Sequence, residues 1–311
     1  MKTLSACALL FAAAAAALAA DEPSKTVSPA PGIHVRYGAQ DVWSARNGGR
    51  VANAAFVVGE RCVAVIDPGG SVQAGRELRA GVRAVTPLPV CYVIDTHAHL
   101  DHALGNAAFA GGDAPPAFVA SGKYAASLQA RERHIAAAVE REFGERLDPS
   151  AFVRPTLTVS PGAPLELDLG GRRLRVQAWP TAHTDHDVTV HDGRTGTLFL
   201  GDLLFVGHLP VVDGSLRGWL KTLAALREHR DVALAVPGHG PASAEWPGAL
   251  DAQQRYLEAL QRETRAALQS RRTIQQAVET VGREAASAWL LADEFHKRNV
   301  TAAYAELEWD E

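Results

Sequence analysis

The stretch VIDTHAHLDHALGN, residues 93–106, packs three histidines and two aspartates into positions 95–102, directly behind an apolar, β-type run. A buried strand that ends in so many titrating side chains constrains the chain more than any other feature. Residues two apart on a strand point to the same side, so His97 and His99 can grip one ion together. Asp101 and His102 lie where the chain turns, and can face a second ion. A polar loop that happens to be rich in histidine is the bland alternative.

Three later residues decide against it. His183 stands in WPTAHTD, Asp202 in TLFLGDLLF where an apolar run meets Gly-Asp, and His239 in LAVPGHGPAS. Each is read at the C-terminal end of a β-type run, where open α/β architectures collect their sites. One His or Asp at a strand end is ordinary structure. Four such strand ends in this order imply a shared metal centre.

The rest of the chain supplies a frame. Apolar runs at 51–58, 62–67 and 90–95, with a helical stretch over 72–85 between the last two, form a strand–helix–strand pattern that favours parallel pairing. Residues 103–150 are alanine-rich with charges at helical spacing and predict one or two helices beside the site. Strands return at 174–179, 188–191 and 197–200, a helix over 216–229 leads into a strand at 232–237, and residues 250–298 read as helical almost throughout. Two β-rich halves, each followed by helices, give an α/β fold: a four-layer αββα sandwich in a single domain over 33–311, with a helical C-terminal part at about 248–298.

Net charge is −4 with a pI near 6.3, and no Lys/Arg run is placed to neutralise phosphates, so nucleic acid is not an expected partner. Residues 1–19 read as a secretory signal peptide: Lys2, an uncharged Ala/Leu run, then Ala17-Leu18-Ala19 as a cleavage site. The run is short for a membrane span. Leu4-Ser5-Ala6-Cys7 imitates a lipoprotein box, but the apolar stretch follows the cysteine, so no membrane anchor is expected. The mature chain is then expected to begin near Ala20 with an extended, proline-rich leader over 20–32, in the periplasm or secreted. Cys62 and Cys91 fall in apolar strand-like runs; we read them as two buried inert thiols, with a disulfide between neighbouring strands as the alternative.

The ordered pattern H-x-H-x-D-H, His, Gly-Asp, Gly-His-Gly over residues 51–245 resembles the metallo-β-lactamase-fold superfamily. The resemblance implies that His97, His99 and His183 bind one metal, that Asp101, His102 and His239 bind another, and that Asp202 bridges them, a water or hydroxide completing both shells. It implies two zinc ions, iron or manganese staying open, and a catalytic part for Asp101 in orienting the hydroxide and carrying a proton to the leaving group. The expected activity is that of an exported di-zinc hydrolase cleaving a small ester, thioester, amide or lactam by a metal-bridging hydroxide.

Asp202 stands where zinc β-lactamases usually carry Cys or Ser, which makes a dedicated β-lactamase the alternative and not the first reading. Persulfide dioxygenases of the same fold use one iron and lack the full second set, so a mono-iron oxidoreductase is the rival from another class. GDLLFVGH resembles the hydroxyacylglutathione hydrolase branch. HLPVVDGSLRGWL (208–220) and NVTAAYAELEWDE (299–311) resemble exported zinc metallohydrolases of quinoprotein relay systems, the SoxH-like group, which implies a periplasmic quinoprotein or sulfur-oxidation partner beside a small-molecule substrate. A non-catalytic accessory protein is a third reading, against which the full ligand set argues. His208 is expected in a loop bordering the cleft, in contact with substrate. His186, Asp187 and His191 read as solvated positions around a strand, with support of the site as the alternative. Trp219 and Trp289 read as packing residues and His134 as a solvated helix position. Specificity is expected from loops over the cleft, at 103–150 and 205–218.

Overall fold

The computed structural model describes residues 26–112 and 114–309. The signal-peptide reading of residues 1–19 and the cleavage near Ala20 lie outside the described residues. Of the 20–32 leader, the part from Thr26 is described, and it opens the fold as an edge strand.

The first half forms a seven-stranded sheet in sequence order. Strands β1 (Thr26–Ala30), β2 (Ile33–Arg36), β3 (Ala54–Val58) and β4 (Val63–Ile66) pair antiparallel. Helix α1 (Val72–Val85) then crosses over to β5 (Val90–Ile94), parallel to β4 as the strand–helix–strand spacing predicts. The short helix α2 (Leu100–Ala103), strand β6 (Ala117–Ser121), helix α3 (Tyr124–Phe143) and strand β7 (Leu157–Val159) complete the half. Strand β6 was not anticipated: AFVAS sits behind Pro115-Pro116 in an alanine-rich region whose composition reads as helix. Its sheet neighbours override that local preference.

The second half forms a six-stranded sheet. Strands β8 (Leu165–Asp168), β9 (Arg173–Ala178), β10 (Val188–Asp192) and β11 (Thr197–Phe205) pair antiparallel. Helix α4 (Leu216–Leu226) returns the chain to β12 (Leu234–His239), parallel to β11, and β13 (Ala244–Glu245) closes the edge. The tail packs as α5 (Leu250–Gln269), α6 (Ile274–Thr280), α7 (Arg283–Ala286) and α8 (Ala292–Leu307).

Side chains alternate across each sheet and so divide the core. Val57, Ala64 and Ile66 face inward and meet Leu174, Val176, Val190 and Phe199 of the second sheet. Phe56, Val63 and Val65 face outward onto Leu78 and Val82 of α1. The outer face of the second sheet is covered by α4, α5 and α8 through Trp219, Leu223, Tyr256, Leu257 and Val300. The result is the expected αββα sandwich. Among the described residues no helix is long and apolar enough to cross a membrane.

Two expectations are corrected. Cys62 and Cys91 are joined as a disulfide, not held as separate thiols; Cys62 stands immediately before β4 and Cys91 in its parallel neighbour β5, with Cα atoms 5.7 Å apart, within bridging reach. Strand β11 does not end at Gly201-Asp202 but runs on to Phe205. Gly201 takes the left-handed conformation (φ 49°) and the register with β12 shifts there, so a kink inside the strand, not its end, turns Asp202 into position.

Candidate metal centre

The seven residues picked out by the pattern converge where the two sheets meet. His97 and His99 follow β5, Asp101 and His102 sit in α2, His183 in the turn after β9, Asp202 in the kink of β11, and His239 at the last position of β12. They form two clusters: His97, His99, His183 and Asp202, and beside them Asp101, His102 and His239. In the first, His99 Nδ1 lies 2.9 Å from His97 Nε2 and 3.2 Å from His183 Nε2. Asp202 Oδ2 is 3.6 Å from His97 Nε2 and 3.3 Å from His183 Nε2. In the second, Asp101 Oδ2 is 3.3 Å from His239 Nε2 and 3.7 Å from His102 Nε2. Asp202 Oδ1 is 3.2 Å from His102 Nε2 and 3.4 Å from His239 Nε2. One carboxylate thus offers one oxygen to each cluster. Backbone makes room for it: a Cβ on Gly238 would stand 2.0 Å from Asp202 Oδ1.

Every histidine has its other ring nitrogen tied off, which sets the tautomer and aims the free lone pair inward. His183 Nδ1 donates to the Val211 carbonyl (2.7 Å) and His239 Nδ1 to the Val51 carbonyl (3.0 Å). His99 Nε2 donates to Asp213 Oδ2 (2.9 Å). His97 Nδ1 donates to Thr96 Oγ1 (3.0 Å), which donates on to Asp67 Oδ2; the same oxygen accepts from His102 Nδ1 (2.9 Å). Asp67 therefore sets two ligands at once.

This leaves lone pairs facing one another. His97 Nε2 and His99 Nδ1 sit at hydrogen-bond distance, and two neutral nitrogen lone pairs repel unless a cation lies among them. His102 Nε2 and Asp202 Oδ1 are buried and make no hydrogen bond. Such orphans are rare in folded proteins. Nitrogen and carboxylate donors in this density fit divalent metal ions.

The electrostatics agree. Burial and the imidazoles of His102, His99 and His183 hold His97 well below its ordinary range, and burial takes His183 down to about 3. Both are neutral imidazoles, as a metal ligand must be. Burial opposes charge on His102 and His239, yet Asp202 and Asp101 outweigh it, raising the first strongly and the second to about 9. Burial likewise opposes ionisation of Asp101 and Asp202, but the two imidazoles hold both carboxyls below the usual carboxylate range. The second cluster is a trap for positive charge.

His208 lies in the loop after β11, as expected, and is buried there. It lies against His239 (ring centroids 4.9 Å), donates Nδ1–H to the Leu209 carbonyl and lines the cavity in front of the centre. His186 and Asp187 are not solvated. His186 Nε2 accepts from the Ala98 amide (3.0 Å), clasping the His97–His99 turn, and Asp187 accepts from Thr184 N and Oγ1, closing the turn that carries His183. A polar run at a strand start reads as exposed only while its partners across the sandwich are unknown. His191 lies away from the centre beside Asp231, and His134 is exposed on α3 at the rim of the cavity. Trp219 is fully buried and packs on His183, as a packing residue should.

The cavity has a volume of about 310 Å³. Apolar walls come from Val42, Trp43, Leu100, Ile135, Phe205 and Phe295. Its lining draws on the expected segments 103–150 and 205–218, and also on residues 41–43 and on α8, which loop reasoning did not include. Asp213, Arg131 and Arg298 also went unnoticed. A signal existed for Arg131: it interrupts the inward stripe Tyr124, Leu128, Ile135 of α3.

The Metallo-beta-lactamase superfamily model matches residues 47–239. No curated protein matches the chain. Among solved structures, the stereoselective inverting sec-alkylsulfatase Pisa1 from Pseudomonas sp. superposes with TM-score 0.66 at 13% identity, over 92% of this chain and 50% of that one. The chain thus spans about half the length of that enzyme. A beta-lactamase domain protein from Burkholderia ambifaria gives TM-score 0.63 at 18% identity, covering 92% and 89%. A metallo-beta-lactamase from Pontibacter korlensis gives 0.56 at 19%, covering 76% and 99%. At these identities the likeness shows the fold.

Proposed function

The chain belongs to the metallo-beta-lactamase superfamily, and from that premise we propose that it is an exported di-zinc hydrolase acting on a small ester, thioester, amide or lactam. The observation that carries this reading is Asp202, whose two oxygens face two separate donor clusters. His97, His99, His183 and Asp202 would hold one ion; Asp101, His102, His239 and Asp202 the other. When bound, two divalent ions supply Lewis acidity, bringing a water's pKa toward neutrality and polarising the scissile carbonyl.

The chain's own residues do the rest. Five imidazoles hold positive charge without cancelling it, while the two carboxylates temper it. Asp101, ionised and at the rim of the second cluster, accepts a hydrogen bond from the attacking water and holds the transferred proton at Oδ for the leaving group. His208, packed against His239, borders the substrate. The apolar walls lower the polarity beside the centre and so strengthen the electrostatics there.

Asp202 in place of Cys or Ser argues for this reading over a dedicated β-lactamase. The full second cluster argues for it over a mono-iron oxidoreductase. The Cys62–Cys91 disulfide favours an oxidising compartment, in keeping with the signal-peptide reading of residues 1–19. Placement in the SoxH-like group, with a periplasmic quinoprotein or sulfur-oxidation partner, rests on residues 208–220 and 299–311 and is tested by co-purification from the periplasm.

The central test is metal analysis with a hydrolysis screen of zinc-loaded protein against thioesters, lactones and β-lactams. About two zinc per chain and turnover that stops on chelation support the proposal. One iron per chain with oxidation of a persulfide would replace it by the oxidoreductase.

A further inference from the structure

Asp213 is a hub. Its Oδ2 accepts from His99 Nε2 and from an Arg131 guanidinium N–H, each at 2.9 Å, and its Oδ1 accepts from the Arg298 guanidinium. The two arginines reach it from different elements, α3 and α8, and both line the metal cavity. Each spends one terminal nitrogen on Asp213, and each side chain stays about half exposed, at 40% and 53%. A guanidinium has five N–H donors in a fixed fork, so donors remain to face the cavity.

The charges do not cancel. One carboxylate between two guanidiniums leaves a positive surplus, and Asp41, a further acid lining the cavity, is engaged by Arg46. Asp101 and Asp202 belong to the metal clusters. Surplus arginines next to a centre built for divalent cations are repelled by it, a cost that makes sense where an anion sits between. Arg131 also breaks the apolar stripe of its helix, where packing alone favours Leu or Ala. One carboxylate on two guanidiniums fastens α3 and α8 to the loop of Asp213 and still leaves one positive charge unmatched.

We propose that Arg131 and Arg298, braced by Asp213, form an oxyanion clamp that selects substrates carrying an anionic group apart from the bond that is cleaved. The apolar walls from Trp43, Ile135 and Phe295 take the body of such a molecule, so the substrate is an amphiphilic anion whose labile bond reaches the metal centre. Arg298 lies beyond residues 47–239, the span of the superfamily match, so half of the clamp is supplied by this chain's own helical tail. Asp213 is a positioning residue in this device: it holds the arginines apart at a fixed spacing and keeps His99 in the tautomer that offers Nδ1.

The clamp rests on the hydrolase reading for its purpose but is tested without turnover. Calorimetric binding of phenylacetate, benzylsulfonate, benzylphosphonate and the neutral 2-phenylethanol is measured on zinc-loaded protein, with zinc content recorded for each variant. The expected result is tighter binding of the anions than of the alcohol. Arg131→Gln and Arg298→Gln each weaken the anions about fivefold or more, and the double variant more still, with the alcohol unchanged. The Arg131→Lys/Arg298→Lys double variant, which keeps charge but not the fork, recovers part of the loss. Rank order among the three anions identifies the oxyanion. If a Gln variant loses zinc, the wild-type salt dependence decides. Anion affinity that falls with NaCl while alcohol affinity holds supports the clamp, and equal behaviour overturns it. Anion binding that survives the double Gln substitution, or alcohol binding that falls with it, also overturns the proposal. Arginine-dependent anion binding in a protein that hydrolyses nothing would sink the hydrolase reading and leave the clamp standing.

Discussion

Asp67 and Asp202 are both buried aspartates at the centre, and they do different work. Asp202 faces the ion sites directly. In Asp202→Asn one donor oxygen becomes an NH2 group and the balancing charge is lost, so zinc content should fall below two per chain by elemental analysis, and hydrolysis with it. Asp67 touches no ion site; its Oδ2 accepts from His102 and from Thr96, and Thr96 in turn holds His97. In Asp67→Asn a single carbonyl oxygen cannot serve all three of Thr96 N, Thr96 Oγ1 and His102, and an NH2 faces a donor. Metal affinity should drop by about 10–100-fold in competition with a chelator, while two zinc still bind at saturation. A full two-zinc Asp202→Asn protein with normal affinity would remove Asp202 from the centre. The seven ligands were legible because each is a polar residue against an apolar run. Asp67 was not, since IDPGG reads only as a turn. Its positive φ of 48° and its reach to Thr96 belong to tertiary structure.

At the scale of elements, one buried ion pair fastens the end of the sandwich. Arg172, in the turn between β8 and β9, gives Nε–H to Asp192 Oδ1 (2.9 Å) and a terminal N–H to Oδ2 (2.7 Å) at the end of β10. Its remaining nitrogen donates to the carbonyls of Pro31 and Val58 in the first sheet. The pair therefore stitches one sheet to the other. Burial opposes ionisation of Asp192, but the Arg172 and Thr195 hydrogen bonds hold its carboxyl below the usual range. A carboxyl whose folded pKa is depressed adds stability above its unfolded pKa of about 3.9 and loses it as pH falls through the folded value. Arg172→Met leaves the carboxylate buried and unpaired, at a cost of about 3–5 kcal/mol at neutral pH by denaturant unfolding. The gap to wild type should close in acid, below about pH 4, where Asp192 is protonated in the unfolded chain and becomes so in the fold. A gap that stays constant down to pH 2 would mean the substitution acts through packing. Nothing local marks Arg172, for GGRR is a hairpin turn by composition. Strand β6 was hidden for the same reason, because its pairing with β5 and β7 is set by the fold, whereas β1 and β2 form a local hairpin at the sheet edge that begins inside the proline-rich leader.

Across the whole molecule, the centre is assembled from both halves. His97, His99, Asp101 and His102 come from the first sheet and its short helix, His183, Asp202 and His239 from the second. The layered sandwich could be read from alternating strand and helix runs. The seam could not, because neither half shows how its strand ends meet the other's. Ions bound there tie the two sheets at the end opposite Arg172, so metal binding and global stability are coupled. A ligand held about 1,000-fold above its Kd adds about 4 kcal/mol to a folded state that alone binds it. For a chain of this size that corresponds to a melting shift on the order of 10 °C. Chelation of zinc-loaded protein should lower the melting temperature by about that amount and restore it on zinc addition. Amide exchange should quicken at the ends of β5, β11 and β12, and little at the core of α1, which packs away from the seam. Asp202→Asn, which removes the shared carboxylate, should show a smaller zinc-dependent shift than wild type. Equal melting temperatures with and without zinc, in protein shown to bind it, would mean that the ions sit on a frame already rigid and contribute to chemistry alone.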